Sequence, residues 1–597
     1  MSTTYSPSGV RVKVYPYEDF QGIDASRDIS ALDTGQKQHM VEIENGFSDW
    51  RGTIVREAGA SQRTEGDKLI KHLNFFGRNL AVWAQKEGSG IALQSERSEI
   101  VNENINSNTI FLTIENRGSG YDQANPPTVT FSDPTADGVT PSTATGTALI
   151  DANGELTEIE ITSQGNGYNT DPTVTIDPPT SGTTAVVTAK MGTDVRTRTH
   201  YVEGAYPASS IVTSTIFNNN ALFFARDHTP YKYDGLNWKK VEAGSDPRPA
   251  FGVSIQRRLA VSGAPAKRTV IELSRVDQLV FPDDEDPGST DVLKAADIDI
   301  GNIIGTADEI KGLGVFESNR LAVFTNDQTL VYQISPDLTQ WAIDDKANIK
   351  VGTISHNTIA TAGADLMFCS REGVHSLRRS DTNGITIFSI PMSNKIDLVY
   401  REYLSLVKDK EQINAFYDQD EGQYHIFFPI SDLLCKRLTI TLNPMQGGES
   451  KWSSGTFLNA TCGRKLGENT LLGTPGGIWE RSDIEDIEEF SPEMKVTTPI
   501  LWQGSINDTK ESYSFILQAT GQGELQVEAF DERGRYLSAL QFLIQDGGAD
   551  DKFPDVPLNR QYERKFEHRY RGVQFRFTTR GKGLLKIIGF AVTVRQG

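Results

Sequence analysis

One short pattern recurs along the chain: an apolar strand, a polar turn, and a second strand rich in aromatic or aliphatic residues. The copies begin at Leu80, Leu222, Arg258, Arg320, Asp365, Ala415 and Thr470. A hairpin of this length cannot bury its own apolar face, so the copies must pack against one another. Radial stacking of such antiparallel units gives a β-propeller with a shared core and a central channel. The sequence therefore predicts an all-β chain whose body is a β-propeller.

Changes in composition divide the 597 residues into four predicted parts. Residues 1–103 hold strand-like runs that start the propeller, and we expect them to help close it with strands from later in the chain. Residues 104–194 are rich in Thr, Gly, Pro and Asp, and predict an inserted small all-β repeat domain. Residues 195–496 form the main β-propeller. Residues 497–597 carry evenly spaced strands and predict a C-terminal β-sandwich-like domain.

The inserted domain contains an internal repeat. Gly118-Ser-Gly120-Tyr121 and Gly165-Asn-Gly167-Tyr168 each precede a β-branched strand, and Asn153-Gly154 between them predicts the type I′ turn of a hairpin. The two Gly-Tyr turns allow two interpretations. Each tyrosine packs over its own glycine turn, or the turns contact a ligand.

Two further features concern the body of the chain. Residues 392–410 predict a helix whose apolar side chains share one face at i, i+3 and i+4 spacing. These side chains are Ile396, Val399, Tyr400, Tyr403 and Leu404. The three cysteines are widely spaced and odd in number, which predicts free buried thiols rather than disulfides.

The charge balance bears on possible partners. With 79 acidic and 59 basic residues the net charge is −20, which disfavours tight binding to phosphate backbones but lets nucleic acid pass without sticking. Solubility is the alternative reading of this charge. The sequence has no apolar stretch of the roughly 20 residues that a membrane-spanning helix needs. Its first residues, MSTTYSPSGVRVKVYP, lack the apolar region of a signal peptide.

Motifs for catalysis or cofactors are missing from the sequence. The eight histidines form no local metal pair, and neither a nucleophile elbow nor a phosphate-binding loop occurs. The stretch Ser335–Trp341 is the nearest match to the repeated box of sialidase-like propellers, but it lacks the glycine and occurs once. A scattered carboxylate pair could still build a glycosidase site. The sequence predicts no catalytic residue, no cofactor and no metal site, and hence no enzyme.

Two segments carry a resemblance to a known family. VFESNRLAVFTNDQTLVYQIS at 315–335 and VGTISHNTIATAGADLMFCSREGVHSLRR at 351–379 resemble the tail nozzle and tail hub proteins of short-tailed bacteriophages, which include the proteins that stabilise packaged DNA. The resemblance extends over about 200–490 and, more loosely, over the C-terminal region. It implies a structural virion protein in the tail, made in the host cytoplasm. It also implies a homo-oligomer, a hexameric ring below the portal adaptor protein, with docking of tail fibres or spikes and transient contact with viral dsDNA.

Under this interpretation two acidic stretches are candidates for the loops that line or gate the DNA channel, because carboxylates repel the duplex. Their candidate residues are Asp283, Asp284, Glu285, Asp286, Glu485, Glu488 and Glu489. Solvated surface loops are the plain alternative. The competing function is a receptor-binding or adhesion protein that recognises a host-surface glycan through the Gly-Tyr turns or a propeller face.

Overall fold

The structure is a computed structural model, and every structural statement below concerns the residues that it describes. These are residues 3–5, 11–26, 38–49, 51–64, 68–77, 80–96, 102–104, 110–134, 141–168, 170–191, 195–197, 200–241, 248–284, 291, 293–305, 307–316, 319–335, 337–344, 348–363, 365–377, 391–442, 450–481, 492–545, 560–580 and 585–595.

Seven antiparallel strand groups follow one another along the chain from residue 70 to residue 481, and we number them blades 1 to 7; six are separate small sheets, and blade 6 is part of a larger 16-stranded sheet. Blade 1 consists, from its first strand to its last, of Ile70–Phe76, Leu80–Glu87, Gly90–Ser95 and Tyr201–Pro207. Blade 2 consists of Val212–Phe217, Asn220–Ala225, Tyr231–Tyr233 and Trp238–Lys240. Blade 3 consists of Phe251–Ile255, Arg258–Ser262, Val270–Leu273 and Ala296–Asp299. Blade 4 consists of Ile310–Phe316, Arg320–Thr325, Thr329–Gln333 and Ala342–Ile343.

The remaining blades complete the series. Blade 5 has three strands among the described residues, Ala360–Ala362, Asp365–Cys369 and Val374–Ser376. Blade 6 consists of Asn414–Asp418, Gln423–Ser431, Leu434–Thr441 and Lys451–Gly455. Blade 7 consists of Cys462–Leu466, Asn469–Thr474 and Gly477–Arg481, and its fourth strand is Ala60–Thr64 from near the N-terminus.

The blades close into a ring. The first strand of each blade contacts the first strand of the next, and the first strand of blade 7 contacts that of blade 1. The first strands are therefore innermost and surround the central axis. The fourth strand of blade 7 pairs with Gly477–Arg481 antiparallel, so a strand from before blade 1 locks the end of the ring. The body is a seven-bladed β-propeller, which confirms the predicted all-β propeller class.

The recurrent hairpin corresponds to one fixed part of the blade. In six of the seven copies it is the hairpin of the second and third strands, for example at Arg320–Thr325 and Thr329–Gln333. The copy that starts at Ala415 is instead the hairpin of the first and second strands of blade 6. The offset arises because both of those strands are rich in aromatic residues, with Phe416, Phe427 and Phe428 all buried.

The C-terminal region is built around one strand of 22 residues, Lys510–Asp531. Its first half pairs with Arg560–Lys565 and Leu585–Arg595, and its second half pairs with Tyr536–Gln545 and Val573–Arg580. Gly521 and Gly523, with φ of 102° and 141°, lie where the strand passes from one set of partners to the other. A residue with a Cβ rarely adopts these angles, so the two glycines permit the change of direction.

Aromatic side chains from both pairing sets form the core between them. The ring centroid of Phe515 lies 5.0 Å from that of Phe575 and 5.5 Å from that of Phe590. Phe577 lies 5.3 Å from Phe590. Rings at such distances attract each other beyond the area that they bury. This two-layer packing is the predicted β-sandwich-like arrangement.

Residues 1–103 start and help close the propeller only in part: the strands from Ala60 to Ser95 belong to it, whereas the earlier strands join the C-terminal sandwich. Arg11–Tyr17 pairs with Leu585–Arg595, and Ile54–Arg56 pairs with the same C-terminal strand. Glu42–Glu44 joins Lys495–Thr497 on one side and the outer strand of blade 6 on the other. Strands Thr3–Tyr5, Phe20–Ile23, Gln38–Met40, Gly46–Ser48 and Arg569–Tyr570 complete this part of the fold.

The propeller and the C-terminal sandwich are consequently continuous. Hydrogen-bonded strands run from blade 6 through Glu42–Glu44 and Lys495–Thr497 to Val573–Arg580. One hydrophobic core includes Met367 of blade 5, Ile426 of blade 6 and Phe590 of the sandwich. Residues 1–97 and 201–597 form a single compact unit, and residues 98–200 form a second one. The predicted boundary at 496 therefore separates two parts of the same unit.

The predicted helix is present as Asp397–Leu406, preceded by the 3-10 turn Asn394–Ile396. Tyr400 and Leu404 are buried, and the rings of Tyr400 and Tyr403 pack edge-on against Phe428 of blade 6. The other short helical segments are Pro282–Asp284, Gly301–Ile304, Leu338–Gln340, His356–Thr358, Lys410–Gln412 and Phe457–Asn459.

The second unit consists of two similar halves with exchanged strands. The first half contains Ile110–Asn116, Thr128–Phe131 and Thr145–Ile150, and the second contains Leu156–Ser163, Val174–Ile176 and Val186–Met191. The first strand of each half pairs with the last strand of the other half. The middle strands pair with each other. A short ladder of Asn102–Asn104 and Val195–Thr197 lies at the ends of this unit.

The hairpin predicted at Asn153-Gly154 exists, but its turn is not type I′. A type I′ turn needs positive φ at both central residues, and only Gly154 has it, at 76°. The loop spans residues 151–155, and the Asp151 carboxylate accepts the backbone N–H groups of Asn153 and Glu155, each at 2.9 Å. This aspartate favours the longer loop because it satisfies two donors that a two-residue turn would arrange differently.

All three cysteines are free and buried, as the sequence predicts. Burial raises the pKa of Cys369 and of Cys462 to about 12. The thiolate is the reactive form of cysteine, so these side chains pack as small apolar groups.

Candidate functional site

Two neighbouring cavities of the described propeller lie at the end where the innermost strands begin, which we call the mouth. A cavity of about 310 Å³ there is bounded by Lys71 of blade 1, Val212 of blade 2, Asn414 of blade 6 and Thr461 of blade 7. A neighbouring cavity of about 210 Å³ extends towards Phe251 of blade 3. Pockets of this kind are the usual place for ligands in propellers, since loops from several blades meet there.

Ion pairs surround the mouth. The Asp432 carboxylate lies 2.5 Å from Nζ of Lys86 and 3.7 Å from Nζ of Lys71. On the opposite side Nζ of Lys311 lies 2.6 Å from Glu309 and 2.5 Å from Glu411. The hydrogen bond from Lys86 lowers the pKa of Asp432. Burial acts to lower the pKa of Lys311, but its two carboxylate partners outweigh burial and raise it. Both sides of the rim therefore carry charged side chains, and these are paired with opposite charges of the rim itself.

Below the mouth the channel narrows to a polar constriction with a cavity of about 50 Å³. The side-chain amide of Asn357, in the segment before blade 5, donates a hydrogen bond of 3.0 Å to the backbone carbonyl of Val212 at the start of blade 2. His356 stacks on the ring of Phe251 at 4.8 Å. The hydrogen bond from Asn357 crosses the ring of innermost strands, so the bore of a single propeller is too narrow for a DNA duplex.

The constriction contains one charge. Burial, and next to it the positive charge of Arg464, lower the pKa of His356 to about 3. Burial, then the charge of Arg464 and then that of His356, lower the pKa of His72 to about 3 as well. Both imidazoles are therefore neutral at pH 7. Arg464 stays accessible to solvent inside the channel and has no hydrogen-bonding or ionic partner among the described residues. An unpaired guanidinium in such a place can bind a small anion.

One pair in the constriction has the distance of a nucleophile and its base. Nε2 of His72 lies 2.8 Å from Oγ of Ser214, and the amide of Asn74 donates to the same oxygen at 2.8 Å. Among the described residues no carboxylate bonds the Nδ1 atom of His72, so none orients the ring. An imidazole with a pKa of about 3 is also a poor base at neutral pH. The pair is therefore suited to hydrogen bonding and not to activating a serine.

The structure describes two of the acidic candidates from the sequence, Asp283 and Asp284, and neither lines the two cavities of the mouth. Both belong to the turn Pro282–Asp284, between the third and fourth strands of blade 3. Asp283 lies 3.1 Å from Nζ of Lys267, which also bonds Glu272 at 2.6 Å. The remaining candidates fall outside the described residues. They are Glu285, Asp286, Glu485, Glu488 and Glu489.

The Gly-Tyr turns of the second unit have a structural role. The hydroxyl of Tyr121 accepts the backbone N–H of Ala185 at 2.8 Å. The hydroxyl of Tyr168 accepts the N–H of Ala144 at 3.0 Å and donates to the carbonyl of Ser132 at 2.8 Å. A Cβ at Gly118 would approach the Tyr121 ring within 2.9 Å. Each tyrosine therefore packs over its own glycine turn, as the first of the two interpretations states.

Sequence reasoning did not single out His72, His356 or Arg464. His72 belongs to blade 1, His356 to the segment before blade 5 and Arg464 to blade 7, and no local motif connects them. Only the closed ring of innermost strands brings them together.

Comparisons with known proteins add no function. No protein-family model matches the chain, and no curated protein matches it. Among solved structures, BamB from Moraxella catarrhalis is 12% identical, over 64% of this chain and 100% of its own, with a TM-score of 0.28. YCF48 from Cyanidioschyzon merolae is 9% identical, over 62% and 100%, with the same TM-score of 0.28. TM-scores this low do not support any conclusion about this chain. Within the described part of the chain, no helix is long and apolar enough to span a membrane.

Proposed function

We propose that this chain is a structural virion protein, the subunit of a tail nozzle or hub ring below the portal adaptor, which retains and then conducts genomic dsDNA. The observation that carries the proposal is the family resemblance of residues 315–335 and 351–379. In the structure the described parts of these segments are the consecutive hairpins of blades 4 and 5. The resemblance therefore covers neighbouring structural units rather than scattered residues.

The closed bore of the propeller supports a role as a wall element. The hydrogen bond from Asn357 to Val212 crosses the bore and leaves no passage for DNA through one subunit, so a DNA channel requires several copies around a common axis. The net charge of −20 suits a wall along which a duplex slides without binding.

An open sheet edge in the sandwich supports self-assembly. Among the described strands, Tyr536–Gln545 pairs only with Lys510–Asp531, so its other edge is free. Tyr536 and Leu543 on this strand are 58% and 55% exposed. Exposed edge strands with apolar side chains are sites at which another chain adds.

The alternative function, glycan recognition by a receptor-binding protein, loses one of its two supports. The Tyr121 and Tyr168 hydroxyls are occupied by backbone groups of their own unit. A propeller face remains as a place where a glycan would bind.

The test is the mass of the purified chain in solution, with negative-stain imaging, alone and with the portal adaptor. We expect a closed ring with a central hole about as wide as a DNA duplex. Leu543→Asp should prevent ring formation, whereas Leu398→Asp, at a 68% exposed position of the helix, should not. A stable monomer or trimer that ignores the adaptor and binds cell-surface glycan would overturn the proposal.

A further inference from the structure

A polar cluster lies in blade 6 at the end of the propeller opposite the mouth. It comprises Asp418, the last residue of the innermost strand, Glu421 in the following turn, and His425 in the second strand. One ligand atom of each residue lies within 4.8 Å of those of the other two. Asp418 and His425 are only 2% and 1% exposed.

The hairpin itself creates this arrangement. Asp418 pairs with Gln423 and Phe416 pairs with His425, which places these side chains on one face of the blade. The Asp418 carboxylate accepts the backbone N–H of Asp420 at 3.0 Å and that of Glu421 at 3.4 Å, and so folds the turn back over its own strand.

Buried polar atoms in this cluster lack partners. Nδ1 of His425 bonds the hydroxyl of Thr439 at 2.9 Å, but its Nε2 is buried without a partner. Gln423 is 1% exposed, and both its amide oxygen and its amide nitrogen are unpartnered. A buried polar atom without a partner destabilises the fold, and a bound ion would satisfy such an atom where it is an acceptor.

The charges leave room for a cation. Asp418, Asp420 and Glu421 contribute three negative charges. Two cations from blade 7 face them: Nζ of Lys465 lies 2.8 Å from Asp420 and 3.7 Å from Asp418, and Arg481 lies 3.0 Å from Glu421.

We propose that Asp418, Glu421 and His425 form a binding site for a transition-metal ion of the Zn²⁺ type. One imidazole nitrogen with two carboxylates suits Zn²⁺, whereas Ca²⁺ and Mg²⁺ prefer ligands that are all oxygen. Lys465 and Arg481 contact the same carboxylates from blade 7, so the ion would also fix the packing of blades 6 and 7. The sequence alone predicted no metal site, because only the folded turn brings Glu421 towards His425.

The experiment uses the full-length, untagged chain after dialysis against a chelator. Isothermal titration with ZnCl₂, and metal analysis of the protein after gel filtration, should give one Zn²⁺ per chain and a raised melting temperature. CaCl₂ and MgCl₂ should bind at least about tenfold more weakly. Glu421→Gln and Asp418→Asn, which preserve shape, should each weaken Zn²⁺ binding at least about tenfold.

Two control variants separate this site from general surface binding. Asp283→Asn removes a carboxylate from a loop of blade 3, and His228→Gln removes a histidine of blade 2. Both should bind Zn²⁺ like the parent. Because Glu421 lies half-buried in a turn, its variant should retain the parent's circular dichroism spectrum. The proposal is wrong if the parent chain binds no Zn²⁺, or if the folded Glu421→Gln protein binds it undiminished.

Discussion

In the channel constriction, burial determines the charge state of the two histidines, His72 and His356. His72 and His356 face the same lumen as Arg464, and both the low polarity of the site and this neighbouring charge disfavour a second cation. The two rings therefore serve as neutral hydrogen-bonding groups, and Arg464 remains the one charged side chain of the constriction.

This arrangement predicts a pH-dependent stability. The pKa of each histidine is about 3 in the folded chain and about 6.5 when unfolded, so the unfolded state binds more protons between these values. Stability is full above pH 6.5 and falls as the pH drops towards 3, by up to about 1.4 kcal/mol per pH unit for each histidine, less where lumen water screens the charge. Urea unfolding between pH 7 and pH 4.5 measures the slope.

The matching variant is His356→Gln, which keeps a hydrogen-bonding group but cannot be protonated in this range. Its unfolding free energy should decrease less steeply with falling pH than that of the parent. His228→Gln, for which the lumen plays no part, should leave the slope unchanged. Equal slopes for all three proteins would contradict the assignment.

For individual residues, the sequence predicts some of the buried positions but not which distant side chains come together. The alternation in VQFRFTTR predicts that Val573, Phe575 and Phe577 share one face of a strand, and all three are at most 2% exposed. The cluster at Asp418, Glu421 and His425 was visible only as eight adjacent letters, because a turn of unknown shape decides which of them meet. His72 and Arg464 are far apart in sequence, and only ring closure makes them neighbours.

Among the elements, the hairpins of the propeller were predictable because each carries its own apolar pattern. Closure by the N-terminal region was expected, but the closing strand itself was not identified, because its sequence, ASQRT, is mostly polar. It pairs with the third strand of blade 7, and its Arg63 lies 2.6 Å from Glu96 and 3.4 Å from Glu480. Backbone pairing and ion pairs therefore hold this strand more than apolar burial does. Such interactions produce no periodic pattern of apolar residues in the sequence.

The closing strand yields a second prediction. Ala60 is fully buried where this strand meets blade 7, so Ala60→Asp would bury an unpaired carboxylate. We expect a loss of about 3–5 kcal/mol in unfolding free energy, as for other uncompensated buried charges. Gln62→Asp on the same strand, at an exposed position, should change stability little. Urea unfolding of both variants checks this, and equal stabilities would show that the strand is dispensable for the ring.

On the scale of the whole molecule, the chain combines one large unit with a smaller unit inserted into it. The insertion lies between the third and fourth strands of blade 1. These strands pair directly, with Gln94 opposite Tyr201 and Leu93 opposite Val202, so the two ends of the insertion are adjacent. The smaller unit has its own buried cluster, which includes Tyr121, Phe131 and Leu156. Each unit therefore contains the apolar contacts that its own folding needs.

This organisation predicts that the large unit folds without the small one. Replacing residues 98–200 by a short Gly-Ser linker should leave the melting temperature of the propeller nearly unchanged, because a loop closed between neighbouring strand ends costs little entropy. A matched deletion of residues 98–207 also removes the fourth strand of blade 1, and with it Tyr206, which is 2% exposed and packs in the core shared with blade 2. That protein should unfold at a clearly lower temperature. Differential scanning calorimetry of both proteins decides the matter: a shorter deletion that destabilises the propeller as much as the longer one would mean that the inserted unit supports blade 1.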